Sequence, residues 1–264
     1  MTTIRKDGTD AIELNMVKKG QGDPLIFIHG WAASHRFWKH QVPFFAQSNQ
    51  VISYDLRGHG DSGKPETGYQ ITDHLHDLEK LLTENRLSKL VLIGHSLGGM
   101  IALQYALEHP LTPRALVLVG TSPHPVASRK RSIQFSFLQL LIRMSRKRAA
   151  NFTERALFAP NVRPELVEWV NKESMRTPTH VILEILKSVK SFNIVSQLSE
   201  IQAPTLIVYS EFETAVESQA LNQMQELIPK AKLQMISGAG HNCMLEQPSQ
   251  FNSVLDGFLR ELKE

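Results

Sequence analysis

The chain has 264 residues, of which 42% are hydrophobic and 21% charged. That is enough for one large domain with a full core, and it excludes a disordered or collagen-like chain. The net charge of +3 is too small an excess at this length to argue for nucleic acid, and the single cysteine, Cys243, excludes an internal disulfide and a Cys-rich zinc site.

No apolar stretch reaches the length of a bilayer. The residues from Met1 to Pro24 are mostly polar and lack the apolar core of a secretory signal, so the expected location is cytoplasmic. Leu25–His29 then reads as a buried strand ending at Gly30, and Val51–Asp55 as another ending at the Arg57-Gly58-His59-Gly60 turn. Asp73–Leu87 carries Leu75, Leu78, Leu81 and Leu82 at helical spacing. Leu90–Ile93 is a third strand, ending at Gly94, and a helix over Leu97–Glu108 follows and stops before Pro110. Ala115–Val119 is a fourth strand, ending at Gly120.

From about Ser122 to Glu200 no strand is predicted. The helical candidates there are Ile133–Met144, Asn151–Phe158, Pro164–Lys172 and Thr179–Val189. Strands resume at Thr205–Tyr209 and Lys232–Ile236, with a helix over Gln219–Ile228 between them. A last helix, Pro248–Leu262, opens with proline in its first turn, where the missing N–H does no harm. Nearly continuous apolar strands alternating with helices predict a mainly parallel sheet covered on both faces. An all-helical stretch between two strands of that sheet reads as a cap or lid. The predicted organisation is a core of residues 1–121 and 201–264, interrupted by a helical cap at residues 122–200.

The strongest chemical signal is Gly94-His95-Ser96-Leu97-Gly98-Gly99, a Gly-x-Ser-x-Gly pattern set between a strand and a helix. Presenting a serine hydroxyl at the tip of a strand needs a tight, strained turn, and flanking glycines leave room for it. Serine is a weak nucleophile and needs a base. Of eleven histidines, His241 is singled out by its place in Ser237-Gly238-Ala239-Gly240-His241, just past the last predicted strand, where open α/β sheets carry their sites. A carboxylate to orient that imidazole is expected after the preceding strand, where Tyr209-Ser210-Glu211-Phe212-Glu213 offers two; Glu213 is preferred and Glu211 held in reserve. The backbone N–H of Leu97, next to the nucleophile, and that of Trp31, in His29-Gly30-Trp31, are the expected oxyanion donors.

With these residues in hand, the chain resembles the α/β-hydrolase family over most of its length. The landmarks are His29-Gly30-Trp31, Tyr54-Asp55-Leu56-Arg57-Gly58-His59-Gly60-Asp61-Ser62, Gly94 to Gly99, Pro204-Thr205-Leu206-Ile207 and Gly240-His241. The order Ser96, Glu213, His241 is the family's order. The resemblance implies the α/β-hydrolase fold: a mostly parallel eight-stranded sheet flanked by helices, a helical cap inserted after the sixth strand, and no cofactor. It also implies that the segment Arg57–Ser62 shapes a turn beneath the site, with His59 and Asp61 structural. The acid loop departs from the usual Gly-x-x-Asp, with Ser210 in place of the glycine and Glu213 in place of the aspartate. Serine at the nucleophile position sets the chain apart from the haloalkane dehalogenases and epoxide hydrolases, which attack with a carboxylate.

These parts support transfer of an acyl group to water, and the expected function is a carboxylic-ester hydrolase. The first half of the cap is rich in Ile133, Phe135, Phe137, Leu138, Leu140, Leu141, Ile142, Phe152, Leu157 and Phe158, which suits an apolar acyl or alkyl group. It is also basic, with Arg129, Lys130, Arg131, Arg143, Arg146, Lys147, Arg148 and Arg155 against Glu154. Such a run reads as a solvated face, as a dock for an acidic carrier protein, or as a contact with an anionic membrane. In length, layout and the His-Gly-Trp motif the chain is similar to pimeloyl-acyl-carrier-protein methyl ester esterases. The alternatives are an acyl-carrier-protein ester esterase or thioesterase, a C–C bond hydrolase, and a ligand receptor without catalysis.

Overall fold

The computed structural model describes residues 2–6, 9–124, 137, 139–146 and 155–263. Its main sheet is built from β3 (Met16–Lys19), β4 (Pro24–Ile28), β5 (Gln50–Tyr54), β6 (Leu90–His95), β7 (Pro113–Val119), β8 (Thr205–Ser210) and β9 (Ala231–Ile236). The spatial order is β3-β5-β4-β6-β7-β8-β9. Only the β3–β5 pair is antiparallel. Before it, β1 (Thr2–Lys6) and β2 (Thr9–Leu14) pair antiparallel as a separate ribbon. These N-terminal strands are polar enough to have escaped the sequence reading.

Asn15 alone separates β2 from β3. Its amide donates to Ser62 Oγ (2.9 Å), its carbonyl accepts from Asp55 N–H (2.8 Å), and its side-chain nitrogen donates to Asp55 Oδ2 (2.8 Å). The main sheet thus has seven strands among the described residues, where the resemblance implies eight, because Asn15 turns its backbone to the Asp55–Ser62 loop and the chain before it pairs as a separate ribbon.

Alternation along each strand sends successive side chains to opposite faces. Ile26 and Ile28 join one core with α2 (Ile71–Glu84), α3 (Leu97–Glu108) and α6 (Ser218–Leu227). Leu25 and Phe27 join the other, with α1 (Gln41–Phe45) and α8 (Pro248–Glu261). Because both faces are covered, the central strands read as unbroken apolar runs. The edge strand β9 exposes Lys232 and Gln234, charge and polarity that discourage further pairing. In the second core Trp38 is fully buried against Phe27 (ring centroids 5.0 Å) and Phe251 (6.1 Å). Removing so large a side chain costs about 3–5 kcal/mol.

Between β7 and β8 the described residues are helical. Residues 139–144 form one stretch, followed by α4 (Pro164–Ser174), α5 (Thr179–Ser191) and a 3-10 turn at Val195–Glu200. The helices predicted from Pro164 and Thr179 start there. Of the first two predicted helices, the parts at residues 133–136, 138 and 151–154 lie outside the described residues. So do Ile133, Phe135, Leu138, Phe152 and Glu154, along with Arg129, Lys130, Arg131, Lys147 and Arg148. On α5, Val181 and Ile185 enter the main core, whereas Ile182 and Leu186 meet Ile142 in a small separate cluster. Ser188 Oγ accepts the Ile71 N–H at the start of α2 (2.9 Å), tying the insertion to the core.

Candidate active site

Ser96 stands where β6 turns into α3, with φ 51° and ψ −112°. That conformation costs a non-glycine residue about 1–3 kcal/mol and persists only where its surroundings enforce it. Here the Ser96 amide donates to Val119 O (2.9 Å), while its carbonyl accepts from Gly99 N–H (2.9 Å) and Thr121 Oγ1 (2.7 Å). The motif's glycines are needed for close approach: a Cβ on Gly94 would lie 2.3 Å from Gly98 O, and one on Gly98 would lie 2.3 Å from Ile28 O.

His241 follows β9, in a loop beyond the C-terminal ends of the parallel strands. Its Nδ1 lies 3.0 Å from both Oε1 and Oε2 of Glu213. A carboxylate accepts, so Nδ1 carries the proton and Nε2 is left with a lone pair. Both side chains are almost fully buried. Burial opposes the charge on Glu213, but the His241 ring, its hydrogen bond and the Ala215 N–H (2.7 Å) outweigh it and hold the carboxyl at about 2. Burial likewise pulls the His241 imidazole down, and the charge and hydrogen bond of Glu213 override it, so its protonation is raised above the ordinary value.

Gly120, at the end of β7, makes room for this pair. With φ 51°, it would carry a Cβ only 3.0 Å from His241 Nδ1 and 3.2 Å from Glu213 Oε2. Ser96 N–H bonds the residue just before Gly120, so Ser96 and His241 flank the same strand end. No hydrogen bond joins Ser96 to His241 among the described residues; such contacts are often long until substrate binds. Glu211 lies elsewhere. It is exposed, and its Oε2 accepts the Gly238 N–H (2.8 Å), bracing the base loop rather than touching the imidazole.

Trp31 and Leu97 offer backbone N–H groups with no hydrogen-bond partner among the described residues. Their loops meet at Ser96, since a Cβ on Gly30 would lie 3.2 Å from Ser96 Cβ. The Trp31 loop rests on His59 and its neighbour His29, whose partners the sequence did not name. His59 Nε2 accepts the Ala32 N–H (3.2 Å), and His29 Nε2 accepts the Leu56 N–H (2.9 Å). Each ring donates from Nδ1 to a carbonyl, His59 to Arg57 O and His29 to Gly30 O. Only neutral rings can play both parts, and burial keeps them so, lowering His29 to about 4 and His59 to about 3. Asp55 accepts from His35 N–H, His35 Nδ1, Asn15 Nδ2 and Asp61 N–H at 2.7–2.9 Å. Although burial disfavours its charge, the His35 hydrogen bond and the neighbouring rings hold it far below the usual carboxylate range. Asp61 pairs with Arg36 and Arg176, away from the reacting groups.

The helical insertion touches the site at several places. Glu173 of α4 accepts from Ser34 Oγ (2.8 Å), Arg36 (3.2 Å) and Arg176 (3.0 Å). Glu246, just past the base, accepts the N–H groups of Gly240 (3.0 Å) and Ala159 (2.8 Å). Ile142, Ile182 and Leu186 pack with Leu141 and Leu183 on Trp31 and Ala32, an apolar wall beside the oxyanion loop. Arg146, by contrast, is turned to α4, where it donates to Ser174 O (2.8 Å) and Thr177 O (2.5 Å). Cys243 is buried, which pushes its thiol up to about 12, so it packs and is no nucleophile. Among the described residues no three His, Cys, Asp or Glu side chains are placed to hold a metal ion, and no helix is long and apolar enough to cross a membrane.

The profile of the alpha/beta hydrolase fold matches residues 23–248. The chain is similar to the AB hydrolase superfamily protein YisY of Bacillus subtilis (strain 168), 24% identical over 249 residues covering 90% of this chain and 92% of that one. It is also similar to the pimeloyl-acyl-carrier-protein methyl ester esterase of Nitrosomonas europaea, 26% identical over 246 residues covering 90% and 96%. In fold it is like the esterase EaEST from Exiguobacterium antarcticum, with a TM-score of 0.90 at 23% identity over 100% of this chain and 99% of that one.

Proposed function

The chain belongs to the alpha/beta hydrolase fold family, and on that premise we propose that it is a serine hydrolase cleaving carboxylic esters through an acyl-enzyme on Ser96. One observation carries the reading: His241 Nδ1 is held 3.0 Å from the Glu213 carboxylate, which leaves Nε2 with the lone pair a base needs, at the same strand end as the strained Ser96. His241 Nε2 takes the Ser96 proton as Oγ attacks the carbonyl carbon, and the Trp31 and Leu97 N–H groups receive the oxyanion. The imidazolium, steadied by Glu213, gives that proton to the departing alkoxide. Water, deprotonated by the same nitrogen, then attacks the acyl-enzyme carbonyl; the bond to Ser96 Oγ breaks, the imidazolium returns the proton to that oxygen, and the acid is released.

The wall of Ile142, Ile182 and Leu186 beside Trp31 supports an apolar acyl or alkyl group. The division into a core of residues 1–121 and 201–264 and a cap of residues 122–200 fits this reading, with the cap choosing the substrate. A carrier-borne ester is the second reading. It is supported by similarity to a pimeloyl-acyl-carrier-protein methyl ester esterase and by the exposed Arg143 and Arg155, although Arg146 is engaged on α4.

A fluorophosphonate probe and a p-nitrophenyl ester series of increasing acyl length test the proposal. Rapid labelling, turnover with a chain-length optimum, and loss of both in a folded Ser96→Ala variant (about 10⁴-fold or more in kcat) are expected. Turnover that persists in Ser96→Ala would overturn it. Labelling of Ser96 without turnover of any free ester, together with cleavage of an acyl-carrier ester, would move the assignment to the second reading.

A further inference from the structure

His95 takes no part in the proton transfers described above, yet its ring lies against both the His241 loop and the Gly30–Trp31 loop. The ring is buried. Its Nε2 lies 3.0 Å from the backbone carbonyl of His241. A carbonyl can only accept, so Nε2 carries the proton and donates it. Burial lowers the ring's protonation to about 3, so this donor keeps its neutral form across the working range. The imidazole also lies against that of His241, with centroids 4.6 Å apart and planes at 50°. On its other side a Cβ at Gly30, the residue before the Trp31 donor, would come within 2.8 Å of His95 Nδ1.

The His241 peptide is thus held from two directions. Its N–H donates to Leu157 O of the helical insertion (2.8 Å), and its C=O is held by His95 from the sheet. Only the second tie belongs to the segment that carries the nucleophile. Because His95 and Ser96 are consecutive, any slip of the base loop relative to His95 is a slip relative to Ser96.

We propose that His95 is a positioning residue whose Nε2–H, held on the His241 carbonyl, sets the distance between the Ser96 hydroxyl and the His241 imidazole. The inference rests on the serine-hydrolase reading of the site. Misplacement of a reacting group by about 1 Å costs on the order of 100-fold in rate.

Two variants separate the hydrogen bond from the ring contact. His95→Phe keeps a ring against His241 and removes the donor; His95→Gln removes the ring and places an amide N–H near the position of Nε2. Steady-state kinetics on a p-nitrophenyl ester, with circular dichroism and melting as folding controls, form the experiment. The Phe variant is expected to lose about 10- to 100-fold in kcat at unchanged KM, and the Gln variant to recover most of that loss. Should the Phe variant fail to fold, His95→Leu makes the same comparison against Gln. Wild-type kcat in a donorless variant, equal losses in the donor-bearing and donorless variants, or a change in KM alone would overturn the inference. Fluorophosphonate labelling of the wild type is the separate reading: a labelled wild type with unimpaired variants sinks the role of His95 only, whereas an unlabelled wild type sinks both.

Discussion

Glu213 and Glu211 sit two residues apart on one loop and do different work. Glu213 holds the imidazole from both oxygens, whereas Glu211 holds the Gly238 amide. Glu213→Gln is therefore expected to lower kcat/KM far more than Glu211→Gln, by about 10²-fold or more, because an amide can present the wrong partner to Nδ1. The pH profile adds a second check. His241 acts as a base only when neutral, and Glu213 raises its protonation above the ordinary 6.5. In the wild type kcat/KM should fall on the acid side through a value above 6.5. In Glu213→Gln the raising charge is gone, so the acid limb should move to lower pH while the plateau drops. A limb that stays in place, measured between about pH 4 and 9, would show that Glu213 is not the partner of the base.

At the scale of elements, α4 is fastened to the oxyanion side of the core by one carboxylate. Glu173 gathers Ser34, Arg36 and Arg176, and the rings of Phe37 and Trp169 meet beside it with centroids 5.5 Å apart. Glu173→Ala leaves the buried Ser34 hydroxyl without its acceptor and the Arg36 and Arg176 guanidinium groups with Asp61 alone among the described residues. It is expected to cost about 1–3 kcal/mol in stability and to raise hydrogen exchange across α4 before the sheet is affected. Exchange that rises uniformly over the molecule would show that α4 is not separately anchored.

What the sequence made legible follows from how each element is buried. The five strands of the sheet centre are covered on both faces, so β4, β5, β6, β7 and β8 are unbroken apolar runs, each found within a residue or two. β1, β2 and β3 form a ribbon and an edge, and their polar residues left no such trace. The short α1 (Gln41–Phe45) and α7 (Cys243–Glu246) are too brief to show a period. Ser96, His241 and Glu213 could be named because each follows a strand end. The sequence prefers Glu213 and holds Glu211 in reserve; in the fold Glu213 contacts the His241 ring and Glu211 the Gly238 amide. The structural reading of His59 fits its place under the Trp31 loop, but the amides that His29 and His59 accept lie 27 residues away and could not be named from the sequence.

Across the whole molecule, several buried rings share one acid response. His29, His59 and His95 are neutral in the fold, lowered to between about 3 and 4 by burial. In the unfolded chain they take protons below 6.5, so the unfolded state binds more protons and stability falls as pH drops from 6.5 to about 3. Glu213 acts in the same direction in a lower window: its contribution is present above about 4.5 and is lost as pH falls through about 2. His241 has the opposite sign, with stability present below 6.5 and lost as pH rises through its raised value. Urea midpoints measured from pH 8 downward should decline chiefly below pH 6.5, steepening toward pH 4. A flat midpoint over that range would contradict neutral buried histidines.

Gly120 shows how activity in this fold can be lost in silence. A methyl group there would meet a left-handed backbone and crowd the imidazole and carboxylate that share its space. A descendant carrying alanine at that position would still spell Ser96, Glu213 and His241 in order. On the proposed reading that chain would lose its activity with all three residues in place, because the space shared by the imidazole and the carboxylate would be gone.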